Sequence, residues 1–230
     1  MRGLFVTGTD TGVGKSVLAA AILAALRARG TAVKTFKPVI TGLDEPPELD
    51  WPPDHELLAR AAGCDADRVV LAGYGPPVSP HLAAELAGRP VRPCKLAATI
   101  LGATREDDAL IVEGVGGLLV PIADGYDVRR LALDLGLPIL IAARPGLGTI
   151  NHTLLTLEAA RQAGLDVAGV VLTPWPEAPG EIERSNRTTI ERLGKVAVSA
   201  LARIERADVE LLATAGERLP LDDGLAEPLR

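Results

Sequence analysis

Aromatic side chains are scarce: Phe, Trp and Tyr make up only 3% of the 230 residues, although 47% are hydrophobic. The core must therefore be built from Ala, Leu, Val and Ile. Cysteine is almost missing, with Cys64 and Cys94 alone and no CxxC pair or neighbouring His pattern. That excludes a zinc ribbon and a disulfide framework, fits a reducing cytosol, and leaves both thiols as small buried or half-buried fillers. An excess of positive charge is also lacking: 24 Lys and Arg stand against 30 Asp and Glu, a net charge of −6. A general nucleic-acid or anionic-membrane surface is excluded on that balance, whereas a local anion site is not. No apolar run approaches the roughly 20 residues needed to span a bilayer. The N-terminus runs straight into a strand, so no secretion leader is expected. With no internal repeat and no long linker, residues 1–230 read as one domain.

What the chain does have is a phosphate-binding pattern at its start. Leu4 to Val6 reads as a short strand, and Val17 to Arg29 as a buried helix stopped by Gly30. Between them runs Gly8-Thr9-Asp10-Thr11-Gly12-Val13-Gly14-Lys15-Ser16. Strand, glycine loop, Lys-Ser and helix is the layout of a P-loop. Its backbone N–H groups and the helix N-terminus form an anion site. Lys15 adds a point charge for the terminal phosphates, and the Ser16 hydroxyl is a Mg²⁺ ligand. The strict pattern has Gly at position 9, where this chain has Thr9. A plain βα turn would need no Lys then Ser where the helix begins.

Further strands follow at Ala32 to Lys37, Val69 to Leu71, Ala109 to Val112, Leu137 to Ala142, Val167 to Leu172 and about Lys195 to Val198. Helices are predicted over about 54–62, 95–104, 127–135, 150–163, 181–193 and 205–214. Residues 44–53 read as a proline- and acid-rich loop, and 73–80 and 173–180 as further loops. Alternating strands and helices imply a P-loop NTPase-like α/β fold, a parallel sheet with helices on both faces.

The polar residues of interest cluster at strand ends. Lys37 closes the second strand, and Thr41 follows in a short loop. Asp54 is either a helix N-cap or a second Mg²⁺ carboxylate. Glu113 ends a buried strand before Gly114, Gly116 and Gly117, like a Walker B strand with Glu for Asp. A carboxylate there is costly unless a cation or donor meets it. Thr149 is a candidate cap for the helix after it, a second anion site. Two lysines and two carboxylates around a P-loop suit Mg-nucleotide phosphoryl transfer, in which the protein supplies position and charge.

Taken in order, Gly-Thr-Asp-Thr-Gly-Val-Gly-Lys-Ser (8–16), Lys37-Pro38-Val39 with Thr41, Asp54, Ser79-Pro80-His81, Val112 to Gly117 and Leu147-Gly148-Thr149-Ile150-Asn151-His152 resemble the dethiobiotin synthetase family. The resemblance runs from residue 3 to about 172 and accounts for Thr9. It implies a homodimer that uses Mg²⁺ and ATP to convert 7,8-diaminononanoate and CO₂ (or bicarbonate) into dethiobiotin, a step of biotin biosynthesis. A carbamate forms on one amine, attacks the γ-phosphate, and the second amine closes the urea. The implied catalytic groups are Lys37, Lys15 and Thr11. Nucleotide contacts would come from Gly12, Val13, Gly14, Lys15, Ser16, Val17, Glu113, Thr173 and Pro174. Substrate contacts would come from Thr11, Lys37, Thr41, Gly116 and the backbone of Gly148, Thr149, Ile150 and Asn151, the last four from the partner subunit. Ser16, Asp54 and Glu113 would hold the metal. His81 and His152 are given no chemical role.

The chain departs from the family at Thr173-Pro174, where an Asn-Asp pair often reads adenine, so another nucleoside triphosphate stays open as co-substrate. Gly146 stands where the family often has Lys, and Asn186 falls near a frequent Tyr. Carboxylate binding would then rest more on backbone groups. The rival readings are a partition-type switch ATPase, against which Asp10 counts because that class has a lysine there, and a P-loop amide-forming synthetase, which would need a glutaminase or ammonia.

Overall fold

The computed structural model describes residues 2–46 and 51–220. Pro47 to Asp50, part of the expected surface loop, and the tail after residue 220 lie outside the described residues. In chain order the elements are β1 (Arg2–Gly8), α1 (Lys15–Ala28), β2 (Val33–Phe36), β3 (Val39–Ile40), α2 (Asp54–Ala62), β4 (Ala72–Gly73), α3 (Pro80–Leu86), α4 (Pro93–Ala103) and β5 (Ala109–Glu113). Then come β6 (Pro121–Ala123), β7 (Tyr126–Asp127), α5 (Val128–Leu135), β8 (Ile139–Ala143), α6 (Thr149–Gln162), β9 (Val167–Trp175), α7 (Glu181–Gly194), β10 (Val198–Ala202) and α8 (Val209–Gly216).

Six strands form one sheet in the order β10-β9-β8-β1-β5-β2, and every pairing in it is parallel. Parallel strands need crossovers, so helices cover both faces and the central strands are mostly apolar. Ala109 to Glu113 and Ile139 to Ala143 are buried at every position. Because side chains alternate, Leu4 and Val6 point to one face and Phe5 to the other. The first face is closed by α1, α2 and α8, with Leu18, Ile22, Leu58 and Leu212 fully buried. The second is closed by α3 to α7, with Ile100, Leu131, Leu157 and Ile190 against Phe5, Val112 and Ile141. The expected Ala/Leu/Val/Ile core is what forms.

The register positions the chemistry. Val6 lies beside Glu113, and Phe36 beside Val112. Lys37 leaves β2 one residue past Phe36, level with Glu113 at the carboxyl edge of the sheet. Ligands bind at that edge in open α/β sheets.

Several local expectations are corrected. Val69 to Leu71 is not a strand: a 3-10 turn at Ala66–Arg68 carries into it, and β4 starts at Ala72, pairing with β3 outside the main sheet. Three residues are too few for periodicity to separate a strand from a buried turn. The 73–80 loop leads into an unexpected helix, α3, whose Pro80 occupies the first helical position after Ser79. A small hairpin, β6–β7, also escaped the sequence. The final strand is β10, displaced from 195–198 because Lys195 takes a left-handed conformation that closes α7. The strand expected to stop at Leu172 continues to Trp175. Cys64 and Cys94 are exposed free thiols, not fillers.

Helices α1 and α8 cross closely because α8 ends in a residue without a side chain. A Cβ on Gly216 would lie 2.1 Å from the Ala21 carbonyl oxygen and 2.9 Å from the Ala25 Cβ. Gly216→Ala should therefore force the helices apart and lower the unfolding free energy by about 1–3 kcal/mol in urea titration. An unchanged midpoint would show that the contact yields freely.

Candidate active site

The loop from Thr9 to Gly14 is shaped by its neighbours. Thr9 N–H donates to the Ala142 carbonyl at 3.0 Å, and the Asp10 carboxylate accepts from the Thr11 N–H at 2.7 Å. Gly12 and Gly14 have φ of +68° and +87°, which a residue with a side chain adopts only with strain. Gly14 stands at the N-cap of α1 with no side-chain cap, and the first turn holds no acidic residue. The helix N-terminus thus has no side-chain cap and no acidic residue of its own first turn, which leaves its N–H groups to an anion.

Lys15 is buried, and its Nζ donates to the Asp10 carbonyl at 2.9 Å, curling the side chain back over the loop. Burial pulls its pKa below the ordinary lysine value. Glu113 pushes the other way and Lys37 adds to the lowering. Lys15 is therefore a cation that its surroundings incompletely compensate, and a phosphate would complete them.

Around it four side chains form a continuous network. Lys37 Nζ donates to Glu113 Oε1 at 2.8 Å and to Asp54 Oδ2. Ser16 Oγ donates to the same Glu113 Oε1 at 2.8 Å. Burial opposes the Lys37 charge, but Glu113 and Asp54 outweigh it and hold its pKa above the ordinary value. Burial likewise raises Glu113, and Lys37 recovers only part of that. Burial pushes the Asp54 pKa up, yet Lys37 and then the Ser16 hydroxyl bring it below the usual carboxylate range. Its side chain is 47% exposed, so its ion pair with Lys37 is partly screened. Asp54 is the first residue of α2 and Pro53 is the N-cap, so the N-cap reading of Asp54 is replaced by the ion pair.

The oxygens suit a magnesium ion. Glu113 Oε2 is buried and has no hydrogen-bond partner among the described residues. Ser16 Oγ and the Asp54 carboxylate lie on the same network, and hard oxygen donors are what Mg²⁺ takes. Among the described residues no cluster of three or more His, Cys, Asp or Glu occurs. Mg²⁺ sites commonly use only one or two carboxylates and share the ion with water and substrate phosphates.

The glycines after Glu113 serve close approach. A Cβ on Gly116 would lie 3.6 Å from the Thr11 hydroxyl, and one on Gly117 would lie 3.5 Å from the Gly8 carbonyl oxygen. The exposed Thr11 and the half-buried Gly116 therefore share one rim. Val13 is buried beneath the loop, and Val17 is half-buried on α1. Thr173 is buried, and its methyl lies 3.0 Å from where a Gly14 Cβ would be, while Pro174 is exposed. Thr41 is half-buried just past β3.

The expected cap at the start of α6 is corrected. Thr149 does not cap α6. It is the first helical residue, its hydroxyl is buried 3.4 Å from the Thr153 hydroxyl, and Gly148 is the N-cap. The N–H groups of Thr149 and His152 bond to the Gly146 and Gly148 carbonyls, while those of Ile150 and Asn151 have no backbone acceptor among the described residues. Only the His152 ring, at 3.9 Å, comes within 4 Å of a Cβ built on Gly148, and Leu147 beside it is 97% exposed. Among the described residues no hydrogen bond joins Gly148 to Asn151 with Lys15 or Lys37. His81 and His152 are exposed.

Two residues of the site were not assigned from sequence. Asn186 on α7 donates through Nδ2 to the Pro145 and Gly146 carbonyls, at 2.9 and 3.1 Å. Arg144, just past β8, reaches the P-loop and donates to the Thr11 carbonyl at 3.2 Å. Its position at the carboxyl end of a buried strand was the available signal.

A parallel sheet whose first strand feeds a Gly-Lys-Ser loop, with a carboxylate on the adjacent strand tip, defines a P-loop nucleoside-triphosphate-binding protein. A family model described as "AAA domain" matches residues 2–209. Chloroplast FtsY from Physcomitrella patens superposes with a TM-score of 0.54 at 14% identity, covering 94% of this chain and 64% of that one. A ParA family ATPase from Chlorobium tepidum TLS gives the same TM-score and identity over 98% of this chain and 94% of that one. Both show the fold. The proteins named ATP-dependent dethiobiotin synthetase BioD include one from Mycobacterium avium, 43% identical over 85% of each chain. Others come from Mycolicibacterium vanbaalenii, 41% identical over 93% of this chain and 94% of that one, and from Bacillus velezensis, 36% identical over 86% and 84%. The chain belongs to the dethiobiotin synthetase family.

Removing Lys37 would strip Glu113 of its cation, and the effect should depend on pH. Without Lys37 the folded-state pKa of Glu113 rises further above its unfolded value. Both states are protonated below about pH 4.3 and no penalty arises, whereas at higher pH the unfolded carboxylate ionises and the buried one resists. Lys37→Ala should thus cost more at pH 8, about 3 kcal/mol, than at pH 5. Urea unfolding at the two pH values measures the gap, and equal losses at both would refute the pairing.

Proposed function

We propose that the chain is an ATP-dependent cyclo-ligase that converts 7,8-diaminononanoate and CO₂ into dethiobiotin, acting as one P-loop unit and, in the cell, as a cytoplasmic homodimer. The observation that carries this reading is the buried network of Lys37, Glu113, Ser16 and Asp54 beside the Gly-Lys-Ser loop in a member of this family. Two exposed free thiols suit a reducing compartment.

The proposed chemistry needs charge control more than a strong base. One amine of the diamine adds to CO₂ and loses a proton, forming a carbamate. A carbamate oxygen then attacks the γ-phosphorus, and the bond to the β-phosphate oxygen breaks to leave ADP. The second amine attacks the carbamate carbonyl, loses a proton and expels phosphate as the urea ring closes. Lys15 and Lys37 hold positive charge where the carbamate and γ-phosphate meet, and their fixed positions avoid reorganisation during the reaction. Thr11 at the rim donates to the carbamate end, and Thr41 and Gly116 line the diamine. Gly12 to Val17 cradle the phosphates, and Thr173 and Pro174 flank the nucleotide. Ser16, Asp54 and Glu113 would hold Mg²⁺, which when bound supplies charge neutralisation on the β- and γ-phosphates. The N–H groups at Gly148 to Asn151 would receive the substrate's distal carboxylate from across the dimer, consistent with the open space around Gly148.

Incubation with 7,8-diaminononanoate, bicarbonate, ATP and Mg²⁺ should yield the cyclic urea by mass spectrometry, together with phosphate release that depends on the diamine. Absence of both with ATP and with every other common nucleoside triphosphate would overturn the assignment. Chelating the divalent ion with EDTA should abolish turnover, and excess Mg²⁺ should restore it. Turnover that survives EDTA would remove the metal from the proposal.

A further inference from the structure

We propose that Arg144 is a positioning residue that locks the crest of the P-loop in its phosphate-binding orientation. The inference rests on the reading of residues 8–16 as the nucleotide loop, and it concerns a residue that the loop pattern does not contain.

Arg144 follows the last residue of β8, beside β1, and its guanidinium crosses to the loop. Nη2 donates to the Thr11 carbonyl at 3.2 Å and makes a longer contact of 3.5 Å with the Gly12 carbonyl. The approach is close, since a Cβ on Gly12 would stand 3.3 Å from Nη2.

In a trans peptide the C=O and the following N–H point in opposite directions. Holding the Thr11 carbonyl toward Arg144 therefore turns the Gly12 N–H away from it. Holding the Gly12 carbonyl does the same for the Val13 N–H. Both N–H groups then face the opposite side of the backbone, the arrangement a phosphate cradle needs. The control is needed because Gly12 and Gly14 have φ of +68° and +87° and no Cβ to restrict the peptide planes between them.

Arg144 is itself braced. Pro145 restricts the backbone directly after it. Asn186 Nδ2, on a nearly buried side chain of α7, donates to the Pro145 and Gly146 carbonyls. The brace runs from α7 through the 144–146 segment to the P-loop. Among the described residues no carboxylate lies within ion-pair distance of Arg144, so its charge is uncommitted.

The test compares wild type with Arg144→Ala, Arg144→Gln and Arg144→Lys. Binding of Mg²⁺ with a non-hydrolysable ATP analogue is read by calorimetry, and KM for ATP and for the diamine by turnover. Arg144→Ala should weaken nucleotide binding about tenfold, the usual worth of a hydrogen bond to a charged group. KM for ATP should rise in parallel, while KM for the diamine stays within about twofold. Arg144→Lys, which keeps a single donor at nearly the reach of Nη2, should recover more affinity than Arg144→Gln, whose shorter amide stops short of the two carbonyls. The ligand-free melting temperature should shift by less than about 2 °C, because Arg144 is exposed. Wild-type nucleotide affinity in Arg144→Ala would overturn the proposal. So would a loss that falls on the diamine KM, since it would move Arg144 to the acceptor. If the wild-type protein binds the nucleotide but makes no dethiobiotin, and Arg144→Ala still binds it tenfold more weakly, the ligase reading fails and this one stands.

Discussion

Everything at the edge of this sheet depends on burying Glu113 at the tip of a central strand. A carboxylate taken from water costs several kcal/mol, and a lone one would take up a proton. Lys37 repays part of that cost across the β2–β5 register, at 2.8 Å. The repayment is incomplete: burial still raises Glu113, and its second oxygen has no partner among the described residues. The fold thus carries an electrostatic deficit, and the ligands that relieve it are the ones the site would bind. A cation beside Glu113 and an anion beside Lys15 each restore balance. A region that is not optimal for stability alone is what function requires of a binding site.

Much of this arrangement was legible in the sequence, for identifiable reasons. The sheet followed from apolar strands alternating with capped helices, because burial on both faces demands continuous runs such as Ala109 to Val112. The core composition followed from the scarcity of aromatics. Glu113 stood out because a charged residue terminating such a run needs an explanation. Lys37 and Asp54 were found as strand-end and helix-start residues, but their direct pairing was not. A contact across 17 positions has no periodic signal, and it resolved the N-cap question only once α2 could be seen starting at Asp54.

What remained hidden shares a different cause. α3 and the β6–β7 hairpin are too short for hydrophobic periodicity to register, and Val69 to Leu71 had strand composition without strand length. Thr149 looked like a cap because its residue type favours caps. Tertiary packing instead buries its hydroxyl beside Thr153 and leaves the capping position to Gly148. Asn186 and Arg144 make their contacts over 41 and 133 positions. Those partners are backbone carbonyls, which have no identity in the sequence at all. Side chain to backbone contacts of that kind are the least readable part of any site, and here they shape the loop that the most readable motif defines.

The close crossing of α1 and α8 bears on the order in which the protein becomes competent. α1 carries Lys15 and Ser16 at its start, and its buried alanines at 19 to 21 leave the ribosome well before α8. α8, which lies against them at Gly216, is among the last described residues to do so. Synthesis at about 5–20 residues per second separates the two by some ten seconds or more. During that interval the nucleotide helix has one flank uncovered. The growing polypeptide then leaves part of the apolar alanine-leucine face of α1 uncovered, and the docking of α8 covers it.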